Sequence, residues 1–435
     1  MITTYDYIDV NKRKTVLLIL LFPLSLLVLL FFVLCIALLL NPDLKHNSVP
    51  IATQVIDFYW PLLLGSILIS TIWTVIAFYE GSGMILRMVN AVKMNDNVDT
   101  TYDNSLKKVL EEKSVIKDIP EPKLSEIRKV LENISLTEKL PTPDLYVQNE
   151  KGLYVFAVGT KANSAVILTK DAIEKLDITE IGRRIAGKIA DIIVHDKKRE
   201  VRRILENISI TAGIPEPDLC IMENEEGLNA FAVGTNKKNC AVILTRGLID
   251  TLDKSEIEAV IAHEVAHIIH QDTKLMMMVT LLIGFFTCLG YIIFRTSFSG
   301  GNSSSRKSSN KNNGAVILLL IGLAFLLYGY VVAPLIRFAV SRTREFHADA
   351  KSALLTRNPQ ALISALKKIN KQPIVGILNN KINNNELVAP MCIENPLKKK
   401  VSLFDALSNL SSTHPPIEKR IEALQVMDGN RLSSY

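Results

Sequence analysis

Four stretches of this chain lack a charged side chain over a length that matches a lipid bilayer. They are Thr15–Leu40, Phe58–Glu80 (charged only at its last residue), Leu275–Phe294 and Ala315–Ile336. A hydrocarbon core takes ~20 apolar residues as helix, because every backbone N–H and C=O must be bonded within the segment once water is gone. Each stretch reaches that length. The first is too long for the apolar part of a signal peptide, and no small-residue cleavage site follows it, so it reads as a retained span. Buried helices of a soluble fold are the alternative, stronger for the second pair, since such a hairpin can dock partly in protein. In a chain of 435 residues with 22% charged side chains, these stretches separate polar blocks that carry the remaining chemistry.

Basic residues flank the spans unevenly. Lys12, Arg13 and Lys14 precede the first, Arg337, Arg342 and Arg344 follow the fourth, and the connection from Asn41 to Asp57 holds only Lys45. This bias places both termini in the cytoplasm. The connection from Arg295 to Gly314 runs against it, with Arg295, Arg306, Lys307 and Lys311. Either that loop is translocated despite its charge or the second hairpin does not fully cross. Bases and acids interleave across the polar part, which argues against nucleic-acid binding. Five scattered cysteines, two of them within spans, have no metal or redox spacing and fit a reducing compartment.

The polar part contains a duplication. Leu131–Lys198 and Leu205–Lys274 run in register with two single-residue insertions in the second copy, and a fragment of a third begins at Leu106. Each full copy reads as helix, Pro-containing turn, short strands and a second helix. The strands are suggested in the second copy by DLCIM, NAFAV and CAVILT. Asp253 and Glu256 form a capping-box signature at the start of its second helix. The copies differ where chemistry would be: His263–His267 lies opposite Gly187–Asp191, and Asn229 opposite Tyr154. The first copy therefore lacks both histidines and the glutamate and should bind no metal there. A solenoid is the other reading of a repeat, but so few copies flanked by spans argue against it.

The sequence His263-Glu264-Val265-Ala266-His267 carries the strongest chemical signal. On a helix, positions i and i+4 share a face, so both imidazoles can reach one ion. Glu264 is offset from that face and can take a proton from a water instead of binding the ion. The five-residue pattern also occurs by chance, but here it interrupts an apolar helix in a protein with only seven histidines. A third ligand is required. Glu345 and Asp349, directly after the fourth span, are themselves i and i+4. Glu345 can ligate zinc while Asp349 accepts the second N–H of a ligand imidazole. A solvated ion-pair helix is the alternative for this segment. Two spans between His267 and Glu345 return the chain to the same side of the membrane.

These features together resemble the HtpX-type membrane metalloproteases and, more distantly, the CAAX prenyl proteases. The resemblance rests on HEVAH with the following Asp272, the upstream NAFAVG, SRTREFHAD after a hydrophobic hairpin, THPPIEKRIEAL, and ILRMVNA after the second span. It covers roughly residues 10–95 and 201–425; the insertion of about Asn95–Glu200, which carries the degenerate copy, departs from it. The resemblance implies a gluzincin-like fold with a cytoplasmic catalytic face, and endoproteolysis of damaged or misassembled membrane proteins. It assigns His263, His267 and Glu345 to one zinc per chain, Glu264 to catalysis, and Asp349 and Asp272 to the shell around the ligands. Asn229 and Ala230 fall on the strand expected to hold substrate backbone. His414 is either an oxyanion stabiliser or a turn residue before Pro415 and Pro416. His270 shares the face of His263, but the family-like third ligand is the glutamate.

The expected architecture is an α+β membrane protein: four transmembrane helices, a mostly helical gluzincin-like protease domain and a small β-sheet. The expected segments are a cytoplasmic tail (1–14), a first hairpin (15–80), a linker with the partial repeat (81–126) and the degenerate repeat (127–200). The catalytic repeat (201–274), a second hairpin (275–337) and a C-terminal helical part (338–435) follow. The expected protein is a multi-pass enzyme of the bacterial inner membrane, with lipid and membrane-protein substrates as partners and no nucleic acid. A client-binding adaptor with incidental hydrolysis and a CAAX-type prenyl-protein protease are the competing readings.

Overall fold

The computed structural model describes residues 4–40, 51–94, 121–148, 151–299, 319–326, 343–371, 392–393 and 415–432. These fall into two compact units, one formed by Met94–Arg203 and the other by Met1–Lys93 with Ile204–Tyr435.

In the unit that contains both termini, the first two charge-free stretches lie in helices α1 (Thr4–Leu40) and α2 (Ile51–Met88). Helix α2 continues past Glu80 to Met88, so the expected hairpin boundary at 80 falls inside it. Among the described residues, Leu64–Met88 and Asp272–Ser297 are long and apolar enough to cross a membrane. The second of these belongs to helix α8 (Asp272–Ser299), and half of its most apolar window is buried in protein. The fourth charge-free stretch lies mostly outside the described residues, so four spans are an expectation of which part is seen.

The sheet of this unit has the order β1-β5-β7-β6, formed by Val92–Lys93, Asp218–Met222, Cys240–Thr245 and Ala230–Gly234 in that order. Strands β5 and β7 are parallel, β6 and β7 antiparallel. Every residue of β6 and β7 is buried, which is why these segments read as continuous apolar runs and not as alternation. One face packs on α2 and α8 through Ile85, Phe231, Ile243, Met277 and Leu281. After β7 come α6 (Arg246–Thr251) and α7 (Lys254–Ile269). The capping box at the start of α7 is present as expected: Asp253 accepts from the Glu256 N–H at 2.9 Å, and Glu256 accepts from the Asp253 N–H at 2.9 Å. Helices α9 (Thr343–Thr356), α10 (Pro359–Lys371) and α11 (Ile417–Leu432) close the unit around Ala259, Leu362, Leu366, Ile417 and Leu424.

The other unit holds α3 (Glu121–Glu138), strands β2 (Asp144–Gln148), β3 (Val155–Gly159) and β4 (Ser164–Thr169), α4 (Lys170–Lys175) and most of α5 (Ile178–Ala212). Its sheet order is β2-β4-β3. The duplication is structural as well as sequential. Asp144 pairs with Ala165 as Asp218 pairs with Ala241, and Val155 with Leu168 as Ala230 with Leu244. One expectation changes. The last helix of the first copy and the first helix of the second are a single helix of 35 residues, α5, so the boundary at 200 falls inside it. Neither Pro nor Gly lies between Gly187 and Ala212 to stop it.

Candidate metal centre

Helix α7 carries His263 and His267 on one face, and α9 packs along it. Small residues allow the close approach: Ala259, Ala262, Ala266 and Ala348 are all fully buried. The Ser352 hydroxyl bonds the Ala259 carbonyl at 2.7 Å and fixes the register between the helices. That register sets Glu345 opposite both imidazoles.

The Nε2 atoms of His263 and His267 lie 3.2 Å apart. Glu345 Oε2 is 3.7 Å from His263 Nε2, and Oε1 is 3.7 Å from His267 Nε2. One ligand atom from each of these residues falls within 4.8 Å of the others. Bonds of ~2.1 Å to a tetrahedral zinc set donors roughly 3.4 Å apart, so the donor set fits such an ion.

The Nδ1 atoms are directed elsewhere. His267 Nδ1 is 3.0 Å from Asp272 Oδ2. His263 Nδ1 is 2.9 Å from Asp349 Oδ1, though off the line of a good N–H bond. Carboxylates at Nδ1 favour the proton there and leave the Nε2 lone pairs facing the common point. Asp272 reaches back because Gln271 adopts φ 59°, reversing the chain between α7 and α8. A non-glycine residue in that region is uncommon and strained.

Glu264 is 1% exposed, and burial is the main cause that pushes its carboxyl up to about 7. The charge of His267 works the other way. Burial lowers the pKa of His267, but the Asp272 hydrogen bond and the Glu345 charge overcome it and hold the imidazole up to about 9. A cation at the common point would displace that proton. His270 ends α7 as its cap, and burial pushes it down to about 4; it is not among the converging donors.

Asn229 is buried at the start of β6. Its Oδ1 accepts from the Ala230 N–H at 3.0 Å, and its own N–H donates to Thr245 Oγ1 at 2.9 Å. Strand β6 lies at the end of its sheet, and the Ala230 carbonyl accepts from the Ile393 N–H at 2.8 Å. His414 lies outside the described residues.

Arg420 was not singled out in the sequence. Its side chain is fully buried, bonds both oxygens of Asp349, donates to the Ile393 carbonyl at 3.1 Å and lies 3.7 Å from Glu345 Oε2. A signal was present: Arg420 stands among Ile417, Ile421 and Leu424 at helical spacing, a cation on an apolar face.

Two imidazoles and a carboxylate around one point, with a further carboxylate left over beside them, are what metal-assisted hydrolysis requires of a protein. The class that such a site defines is that of the metal-dependent hydrolases. Residues 195–428 match the family described as Peptidase family M48. A Protease HtpX homolog of Dictyoglomus thermophilum is 40% identical over 226 residues, 52% of this chain and 68% of the relative. Those of Bacteroides fragilis and Streptococcus pyogenes are 38% and 42% identical over 229 and 226 residues, covering 53% and 52% of this chain and 69% and 72% of theirs. The crystal structure of S. mikatae Ste24p aligns over 91% of this chain and 80% of its own, at 15% identity and a TM-score of 0.31, too slight to bear on the fold. The chain belongs to peptidase family M48, and it is a metalloprotease similar to the HtpX proteases.

Proposed function

We propose that this chain is a zinc endopeptidase of membrane proteins. The observation that carries the proposal is the convergence of His263, His267 and Glu345 on one point with Glu264 beside it. In this reading those three residues hold one zinc per chain, while Asp349 and Asp272 orient the imidazoles. A zinc ion there supplies a Lewis acid that acidifies water and polarises the scissile carbonyl. Glu264 takes the proton of the attacking water and delivers it to the leaving amine. Burial raises this carboxyl and favours its taking up a proton, while a bound cation would oppose that.

Substrate backbone lies along the edge of β6. With the Ala230 carbonyl occupied by Ile393, Asn229 and Ala230 shape the start of that edge, and the substrate runs on toward Gly234. His414 stabilises the oxyanion or closes the turn before Pro415. The helices anchor the enzyme in the bacterial inner membrane, catalytic face and termini in the cytoplasm, where damaged or misassembled membrane proteins present unfolded segments. Zinc content and casein cleavage by detergent-purified wild type and Glu264→Gln, side by side, test the proposal. Zinc in both and cleavage by the wild type alone support it. A zinc-loaded wild type that never cuts, even with lipid and membrane substrates, overturns it, as does absence of zinc from both.

A further inference from the structure

We infer that the first copy of the duplication is a second polypeptide-binding site, one that holds an extended segment on the edge of β3 without cutting it.

The hairpin that builds the catalytic edge is kept in this copy. The Tyr154 N–H bonds Thr169 Oγ1 at 3.1 Å and its carbonyl accepts from the Thr169 N–H at 3.2 Å, as Asn229 does with Thr245 at 2.9 and 3.0 Å. At the other end of the hairpin the Thr160 N–H bonds the Asn163 carbonyl at 2.8 Å. Antiparallel bonding alternates, so Tyr154, Phe156, Val158 and Thr160 face β4, and Val155, Ala157 and Gly159 turn their backbone groups outward. These three are the counterparts of Ala230, Ala232 and Gly234.

In the catalytic copy one of the same outward groups is in use. The Ala230 carbonyl takes the Ile393 N–H at 2.8 Å. In the first copy β3 is the end of its sheet, and among the described residues no strand pairs with its outer side. Natural edges are blunted with charge, proline or a bulge, yet β3 reads VFAVG and has none of these. Tyr154 and Phe156 are exposed on it, their rings stacked with centroids 5.8 Å apart.

The space vacated by the metal site has become a pocket. Gly187 stands where His263 is, and a Cβ added there would meet nothing within 4 Å. Lys188 and Asp191 replace Glu264 and His267 and pair with each other at 3.2 Å. The resulting cleft of about 540 Å³ runs between the β3 edge and α5, lined by Tyr154, Phe156, Arg184 and Gly187 among others. An added strand places alternate side chains in this cleft and beside the aromatic pair, while its backbone bonds the edge. The occupant is unfolded polypeptide of the kind that the neighbouring copy hydrolyses; this identification rests on the proteolytic reading, and the capacity of the edge to take a strand does not.

The test uses full-length, detergent-purified Glu264→Gln protein and fluorescein-labelled β-casein, read by anisotropy. Adding Ala157→Pro removes one outward N–H and no sheet bond. It is expected to weaken casein binding about fivefold, the worth of one backbone hydrogen bond. Phe156→Asp, which leaves the backbone alone, is expected to weaken it as well. In the protein that keeps Glu264, Ala157→Pro should leave cleavage of a short fluorogenic peptide unchanged. Backbone amides of Val155, Ala157 and Gly159 should gain hydrogen-exchange protection when casein is added to the Glu264→Gln protein, a readout that needs no edge variant. Unchanged casein affinity in the folded variants, or no protection along β3, overturns the inference. Protection along β3 in a protein that never cleaves would sink the proteolytic reading and leave the binding site standing.

Discussion

Arg420 spans both carboxylate oxygens of Asp349, with Nε 2.8 Å from Oδ2 and the terminal nitrogen 2.6 Å from Oδ1, and both side chains are buried. Asp349 in turn lies against His263, so the charge of a C-terminal helix sets the orientation of a candidate ligand on α7. Arg420→Met leaves a buried carboxylate uncompensated. The expected loss is ~3–5 kcal/mol of stability, and zinc affinity falls roughly 10–100-fold. Thermal unfolding and chelator competition measure the two effects. Burial raises the pKa of Asp349, but Arg420 overcomes it and holds the carboxyl below the ordinary range. A depressed folded value means stability present above the unfolded pKa and lost as pH falls through the folded one. Without Arg420, burial raises this carboxyl, so protonation relieves the buried charge and the stability deficit of Arg420→Met should shrink as pH falls.

Asp272 links His267 to distant parts of the chain, accepting from Asn11 Nδ2 at 2.6 Å and lying 3.4 Å from Arg344. Asp272→Asn is expected to lower zinc affinity about 10-fold or more. Asn11→Ala should lower it less, though Asn11 touches no candidate ligand. Zinc retained against a graded chelator series distinguishes the three proteins; equal retention by Asn11→Ala and wild type would remove Asn11 from the metal centre.

Removal of metal should itself destabilise. An ion that binds only the folded state adds about 4 kcal/mol at a thousandfold excess over its Kd. Chelator-treated wild type should unfold at lower temperature than the zinc form, and readdition of zinc should restore it. Glu264→Gln should show the same zinc-dependent increment, because Glu264 is not among the converging donors.

Glu256 caps α7 and is buried, and it accepts from Ser364 at 2.6 Å and Lys368 at 2.6 Å on α10. Lys368→Met keeps the apolar stem and removes one charged donor. It should cost ~1–3 kcal/mol in thermal unfolding, with peptide cleavage at low temperature unchanged.

Gly234 ends β6 with φ +152°, and a Cβ there would lie 2.5 Å from the Asn239 carbonyl. Gly213 has φ +66° and open space around it. Gly234→Ala is expected to cost well over ~1 kcal/mol, and Gly213→Ala about that amount. Paired denaturation curves give the comparison.

Much of the candidate centre was legible because helical spacing is local. His263 and His267, and Glu345 and Asp349, share faces at i and i+4 whatever else the chain does, and the capping box of Asp253 and Glu256 lies within one turn. The duplication was legible because it repeats in register, down to the pairing of each strand. The long helix α5 was not, since its join lies between two copies that each suggest a separate helix. Ile393 on the edge of β6 could not be read either, because a single backbone bond leaves no pattern in side-chain identity.

The sequence by itself determined which residues present imidazole and carboxylate on common faces, which copy lost them, and where the first three charge-free stretches form helices. Only the tertiary structure decided which faces meet. Asn11 finds Asp272, and Arg420 finds Asp349, across 261 and 71 residues. Such pairings carry no periodic signal. They exist because a buried charge must be matched wherever packing leaves it, and packing is a property of the whole chain.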